Sequence, residues 1–122
     1  MMNPFSIEES TPAARAGTGP VFLSLFVACY NERDNIVGAL ETLLEALRRT
    51  IPSFEILVID DASTDGSVEK IRGFLESHPD VPATLLVNRL NQGVAANYAE
   101  AAFRARGEWY RMICGDNVEP VE

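Results

Sequence analysis

The stretch from Phe54 to Gly66, Phe-Glu-Ile-Leu-Val-Ile-Asp-Asp-Ala-Ser-Thr-Asp-Gly, constrains the fold more than any other. Ile56 to Ile59 is an unbroken apolar run with β-branched residues, the pattern of a strand buried on both faces of a parallel sheet. It stops at two carboxylates, Asp60 and Asp61, and passes into Ala-Ser-Thr-Asp-Gly, which is turn and helix-cap chemistry. A central strand therefore ends in negative charge and delivers the chain to a helix. In open α/β sheets ligands bind outside the carboxyl ends of the strands. Each acid could instead cap the next helix or sit in a solvated turn. Asp65 is better placed to cap, which leaves Asp60 and Asp61 without a purely structural task.

The remaining pattern builds outward from this strand. Val21 to Cys29 is a second apolar run. After it, Ile36, Val37, Leu40, Leu43, Leu44 and Leu47 recur at helical spacing. Asn31 is a candidate N-cap, Glu32 and Asp34 suit the positive end of that helix, and Pro52 marks its stop. Beyond the acid pair, Val68, Ile71 and Leu75 form the inner face of a second helix ending near His78. Thr84 to Val87 is a short strand closing on Asn88-Arg89. Asn91-Gln92-Gly93 opens an alanine-rich helix whose small side chains, Ala95 to Ala105, suit close packing on a sheet. Gly107 is a candidate C′ residue, and Trp109 to Cys114 is a fourth strand. Residues 1–20, with Pro4, Pro12, Gly17, Gly19 and Pro20, have no period and read as a flexible leader. The order β-α-β-α-β-α-β with short connections predicts a three-layer α/β/α fold with a mainly parallel sheet over 21–122, one domain in 122 residues.

Composition narrows the function classes. A formal net charge of −8 disfavours non-specific nucleic-acid binding. Two cysteines, Cys29 and Cys114, both close apolar runs and read as reduced, buried thiols. With one histidine they are too few for a zinc site of usual composition. No apolar run has the length of a membrane span and no signal peptide opens the chain, which predicts a cytoplasmic location. No G-x-G-x-x-G follows the first strand, no P-loop occurs, and no Ser/His/Asp set can be assembled.

A parallel sheet brings its strand ends to one edge. Tyr30-Asn31-Glu32, Asp60-Asp61, Asn88-Arg89 and Gly115-Asp116-Asn117 then share one crevice. Clustered carboxylates repel unless something compensates them. A divalent cation bridging to a ligand phosphate would do so, as would the N–H and hydroxyl donors of a nucleoside.

The quoted elements Ala28-Cys29-Tyr30-Asn31-Glu32, Val58-Ile59-Asp60-Asp61-Ala62-Ser63-Thr64-Asp65-Gly66, Asn91-Gln92-Gly93 and Arg106-Gly107-Glu108 to Asp116 resemble the family-2 glycosyltransferases from about Val21 to Glu122. The resemblance implies a GT-A fold with sheet order third, second, first, fourth, whose first half binds a nucleotide-sugar with Mg²⁺ or Mn²⁺. It implies that Ala28, Tyr30 and Glu32 line the base and ribose site, that Ile59 and Asp61 contact the nucleoside with Asp60 beside them, and that Cys114, Gly115 and Asp116 match the D-x-D element, with Asp116 the metal ligand. Two positions depart from the family: Ala28 stands where proline is usual, and Cys114 replaces the first acid of D-x-D. The family's acceptor half and its catalytic base follow D-x-D, so no catalytic residue is assigned in this stretch and the chain alone is expected to bind donor without useful transfer. The implied partner is a nucleotide-diphosphate sugar, with a lipid carrier or glycan as acceptor at the inner face of a membrane. A non-catalytic nucleotide-sugar-binding module and a phosphate-accepting receiver domain remain as alternatives. The receiver reading is opposed by the place of the acid pair after the second strand and by Lys70, the only lysine, lying within a helix.

Overall fold

A computed structural model describes residues 6–17 and 19–114, and the structural statements below concern those residues. In chain order the elements are β1 (Ser6–Ser10), α1 (Pro12–Ala16), β2 (Val21–Cys29), α2 (Ile36–Thr50), β3 (Phe54–Asp60), α3 (Ser67–Ser77), β4 (Ala83–Asn88), α4 (Val94–Arg104) and β5 (Gly107–Cys114). They form one five-stranded sheet of order β1-β4-β3-β2-β5. β2 to β5 are mutually parallel, and β1 runs antiparallel along β4. The four apolar strands thus take the expected order and direction, in a three-layer α/β fold.

Strand alternation sorts the core into two layers. Leu23, Leu25, Val27 and Cys29 of β2, with Ile56 and Val58 of β3, face α2 and α3, meeting Ile36, Leu40, Leu43, Leu44, Leu47, Ile71 and Phe74. Phe26, Leu57, Ile59 and Leu86 face the other way, onto Ala101 of α4. Each wholly buried aliphatic or aromatic side chain contributes about 1.5–3 kcal/mol, so β2 and β3, buried on both faces, anchor the sheet.

Several expectations are corrected. The flexible leader over 1–20 gives way at Ser6–Ala16 to an edge strand and a short helix. β1 owes its form to its partner rather than to its own pattern. Thr11 is buried; its hydroxyl donates to the Val81 carbonyl at 2.5 Å and accepts from the N–H groups of Ala14 and Ala83. Arg72 of α3 grips the Glu9 carboxylate through Nε and Nη2 at 2.8–3.0 Å. Asn31 does not cap α2. The helix begins at Ile36, with Asn35 at the cap position and no side-chain cap bond.

Gly107 is not a helix C′ residue but the first residue of β5, opposite Val21. A Cβ there would lie 2.6 Å from the Ser24 nitrogen and 2.8 Å from its Oγ, so only glycine lets β5 reach β2. Of the α4 alanines only Ala101 is buried; Ala95, Ala96, Ala99 and Ala102 are exposed. The α4 surface that meets the sheet is the Asn97–Ala101–Ala105 row, spaced at i, i+4.

Candidate functional site

The parallel register makes the carboxyl ends flush. Cys29 stands opposite Asp60, Asp60 opposite Val87, and Ala28 opposite Cys114. Above this edge opens a cavity of about 360 Å³ lined by Ala28, Cys29, Tyr30, Glu32, Asp61, Asn91, Gly93, Val94, Asn97 and Cys114. That volume is within the ~300–1,000 Å³ usual for small-molecule sites. A hollow of similar size between α2 and α3 lies along the helices, away from the strand ends.

Of the expected site residues, Ala28, Tyr30, Glu32, Asp61 and Cys114 meet at this cavity. Ile59 is buried in the α4-side core, and Asp60 is wholly buried behind the strand end. Gly115 and Asp116 lie outside the described residues. Cys114 is exposed, correcting the expectation that both thiols are buried. Among the described residues, Cys114 ends β5, which pairs with β2 on one side.

Asp60 and Asp61 do have structural work, contrary to expectation. Asp60 accepts from the Ser63 N–H at 3.0 Å and from the Ser63 hydroxyl at 2.6 Å. The same hydroxyl oxygen accepts the Asn31 N–H at 2.8 Å, and Asn31 Oδ1 accepts the Thr64 N–H at 2.8 Å. Asp65 takes the N–H groups of Ser67 and Arg33, and the Ser67 hydroxyl oxygen accepts the Glu32 N–H at 2.9 Å. The Asp-Asp-Ala-Ser-Thr-Asp-Gly-Ser stretch therefore zips the Tyr30–Arg33 turn to the head of α3. Both turns enter the left-handed region: Asn31 has φ 50° and Ala62 has φ 66°. Asparagine tolerates that region, whereas for alanine it costs about 1–2 kcal/mol.

Asp61 is 6% exposed and reaches the other way. Oδ1 accepts from Asn88 Nδ2 at 3.0 Å and the Gln92 N–H at 2.7 Å, while Oδ2 accepts the Gly93 N–H at 2.9 Å. Its carbonyl oxygen accepts from Asn91 Nδ2 at 3.2 Å. Burial pushes this carboxyl up, but the donors from Asn88, Gln92 and Gly93, with the Asn97 amide close by, outweigh it and hold the group below the usual carboxylate range. Asp61 is thus an ionised floor to the cavity. Burial, reinforced by Asp60, pushes the Cys29 thiol up to about 12, so it is neutral and unreactive.

Sequence reasoning did not single out Asn97. It is 4% exposed, lines the cavity, and accepts at Oδ1 from Asn88 Nδ2 at 2.9 Å. A signal existed: an asparagine four residues before Ala101, on the face where α4 meets the sheet.

A sequence profile of the group described as glycosyl transferase family 2 matches residues 24–117. A protein described as an uncharacterized glycosyltransferase of Haemophilus influenzae is 30% identical over 95 residues, covering 78% of this chain and 29% of its own length. The dolichyl-phosphate beta-glucosyltransferase of Dictyostelium discoideum is 26% identical over 101 residues, covering 79% and 31%. A solved structure, the mannosyltransferase PcManGT from Pyrobaculum calidifontis in complex with GDP-Man and Mn²⁺, superposes with a TM-score of 0.76 at 28% identity, over 93% of this chain and 31% of that one. The chain spans about three-tenths of the length of each of these relatives.

Proposed function

Because this chain belongs to glycosyl transferase family 2, we propose that its carboxyl-edge cavity holds the nucleoside of a nucleotide-sugar donor, as the first part of an enzyme that transfers the sugar to a lipid carrier or glycan. The observation that carries this reading is the cavity itself. An ionised, nearly buried carboxylate, Asp61, forms its floor, and Tyr30, 54% exposed, stands at its rim. A carboxylate accepts hydrogen bonds only. It therefore suits a base whose pairing edge carries an imino N–H, as uracil and guanine do, over adenine. The Tyr30 ring offers a stacking surface, and Glu32 is placed to accept from ribose hydroxyls.

The donor's diphosphate would lie toward the end of β5. Asp116, outside the described residues, is the proposed carboxylate for a divalent cation there, by resemblance and by the Mn²⁺ in the Pyrobaculum calidifontis mannosyltransferase complex. Among the described residues no group of three or more His, Cys, Asp or Glu side chains is placed to hold a metal. Cys114 offers sulfur, which a hard cation such as Mg²⁺ takes poorly. A bound cation would supply charge neutralisation to the departing diphosphate. This chain's own residues hold the base, orient the ribose and keep the nucleoside out of bulk water. No helix among the described residues is long and apolar enough to cross a membrane.

Calorimetry with UDP, GDP and ADP, each with and without MnCl₂, tests the reading on wild type, Tyr30→Ala and Asp116→Asn. UDP or GDP should bind in preference to ADP. Tyr30→Ala should weaken binding about tenfold, the scale of one stacked base, and Asp116→Asn should abolish the gain from manganese. Failure of every nucleotide to bind wild type, or equal affinity across all three proteins, would overturn it.

A further inference from the structure

The Asp61 carboxylate is not positioned by its own strand alone. Asn88 on β4 donates from Nδ2 both to Asp61 Oδ1, at 3.0 Å, and to Asn97 Oδ1 on α4, at 2.9 Å. The Gln92 and Gly93 N–H groups, leading into α4, close on the same carboxylate. Asp61, Asn88 and Asn97 are each at most 6% exposed, and of the two asparagines only Asn97 also lines the cavity. Nothing in the packing of α4 requires an amide here. Ala101 and Ala105, at the next positions of the same row, meet the sheet with a methyl group. A buried amide at this point must therefore be repaid by its bonds.

We propose that Asn97, acting through Asn88, is a positioning residue for nucleobase selection: the pair holds the Asp61 carboxylate oriented toward the cavity so that it reads the base edge. This rests on the nucleotide-sugar reading above and adds a residue and a consequence to it. A carboxylate has about four acceptor sites. Three are taken by Asn88, Gln92 and Gly93, and the Asn97 amide, which holds the Asn88 donor, borders the ligand's space. With Asn97 in place the carboxylate plane is fixed by donors from β4 and from the loop before α4, and the β4 donor is itself held by the α4 acceptor Asn97 Oδ1. Without it, Asn88 Nδ2 loses the Asn97 acceptor that shares it with Asp61, and the donor to Asp61 Oδ1 is less narrowly directed. The consequence falls on bases that donate to Asp61 and spares those that do not.

The decisive quantity is a ratio of affinities, because general destabilisation lowers all affinities together. The proteins are wild type, Asn97→Ala, the milder Asn97→Ser, and Ser24→Ala. Ser24 is wholly buried and hydrogen-bonded to Glu55 and Gly107 near the opposite end of β2, so it controls for the loss of a buried polar group. Affinities for UDP, GDP and ADP are measured for each by calorimetry in MnCl₂. Both Asn97 variants should lose about tenfold for the imino base that wild type prefers and less than twofold for ADP, so the selectivity collapses. Ser24→Ala should keep the wild-type ratio even where its melting temperature falls as far. An unchanged ratio in both Asn97 variants would overturn the inference and leave the nucleotide-sugar reading standing. Wild type that binds no nucleotide, or prefers ADP, would overturn that reading and this inference with it.

Discussion

Replacing Asp61 by asparagine removes one oxygen and one charge from the most heavily bonded carboxylate of the site. Three donors converge on it at 2.7, 2.9 and 3.0 Å. If the amide keeps its oxygen toward Asn88 and Gln92, its NH₂ faces the Gly93 N–H, and one buried donor is left facing another. If the amide turns over, two donors are stranded instead. The remaining bonds also lose their charge assistance. One lost charged hydrogen bond plus one stranded donor costs about 2–4 kcal/mol. At 6% exposure solvent does little to soften this. For a chain of this size it corresponds to a fall in Tm of roughly 10 °C. Urea unfolding of wild type and Asp61→Asn, read by circular dichroism between pH 7 and pH 3, measures it. The folded-state carboxyl is held below its ordinary value. Its contribution is therefore complete above the unfolded carboxyl's pKa of about 3.9 and is lost as pH falls through the folded value. The gap between the two proteins should be constant from pH 7 to pH 5 and should narrow below about pH 4. A gap under about 0.5 kcal/mol at pH 7, or one that widens on acidification, would refute the reasoning.

Ala62→Gly should stabilise the protein by about 0.5–1 kcal/mol, because it relieves the positive φ of 66° beside Asp61; a loss of stability in urea would contradict this. Gly107→Ala should cost about 1–3 kcal/mol, since its Cβ would meet the backbone and side chain of Ser24 at 2.6–2.8 Å. Hydrogen exchange should then show weakened protection of β5 before β3. With a thiol reagent, Cys114 should titrate at once and Cys29 only on unfolding, and UDP or GDP should slow the first reaction. Cys29 is raised from 9.0 to about 12 in the folded protein. The stability it contributes is complete below pH 9 and is lost as pH rises from there toward about 12. Cys29→Ala should flatten that alkaline slope.

The four parallel strands and the three long helices were legible in the sequence because their signals are local. Ile56 to Ile59 is apolar on every residue, and Leu40, Leu43, Leu44 and Leu47 repeat with the helix. Flush strand ends follow once such strands run parallel, so the meeting of Tyr30, Glu32 and Asp61 at one edge could be read from order alone, whereas Cys114 was read as a buried thiol and joined them only through the family resemblance. The Ser6–Ser10 strand could not. Its five residues become a strand only through the free edge of β4 and through Thr11 and Arg72, whose partners lie more than 60 residues away. The task of Asp61 was equally hidden. An acid at a strand end can cap, bind metal or meet a ligand, and its neighbours in sequence do not choose among these. The choice comes from Asn88, Gln92, Gly93 and Asn97, which β4 and α4 bring to it across the sheet. Periodicity is a property of the chain and survives in the sequence. The bonding of a single buried polar atom depends on donors held in place by tertiary packing, and so it emerges only when the sheet and its helices are assembled.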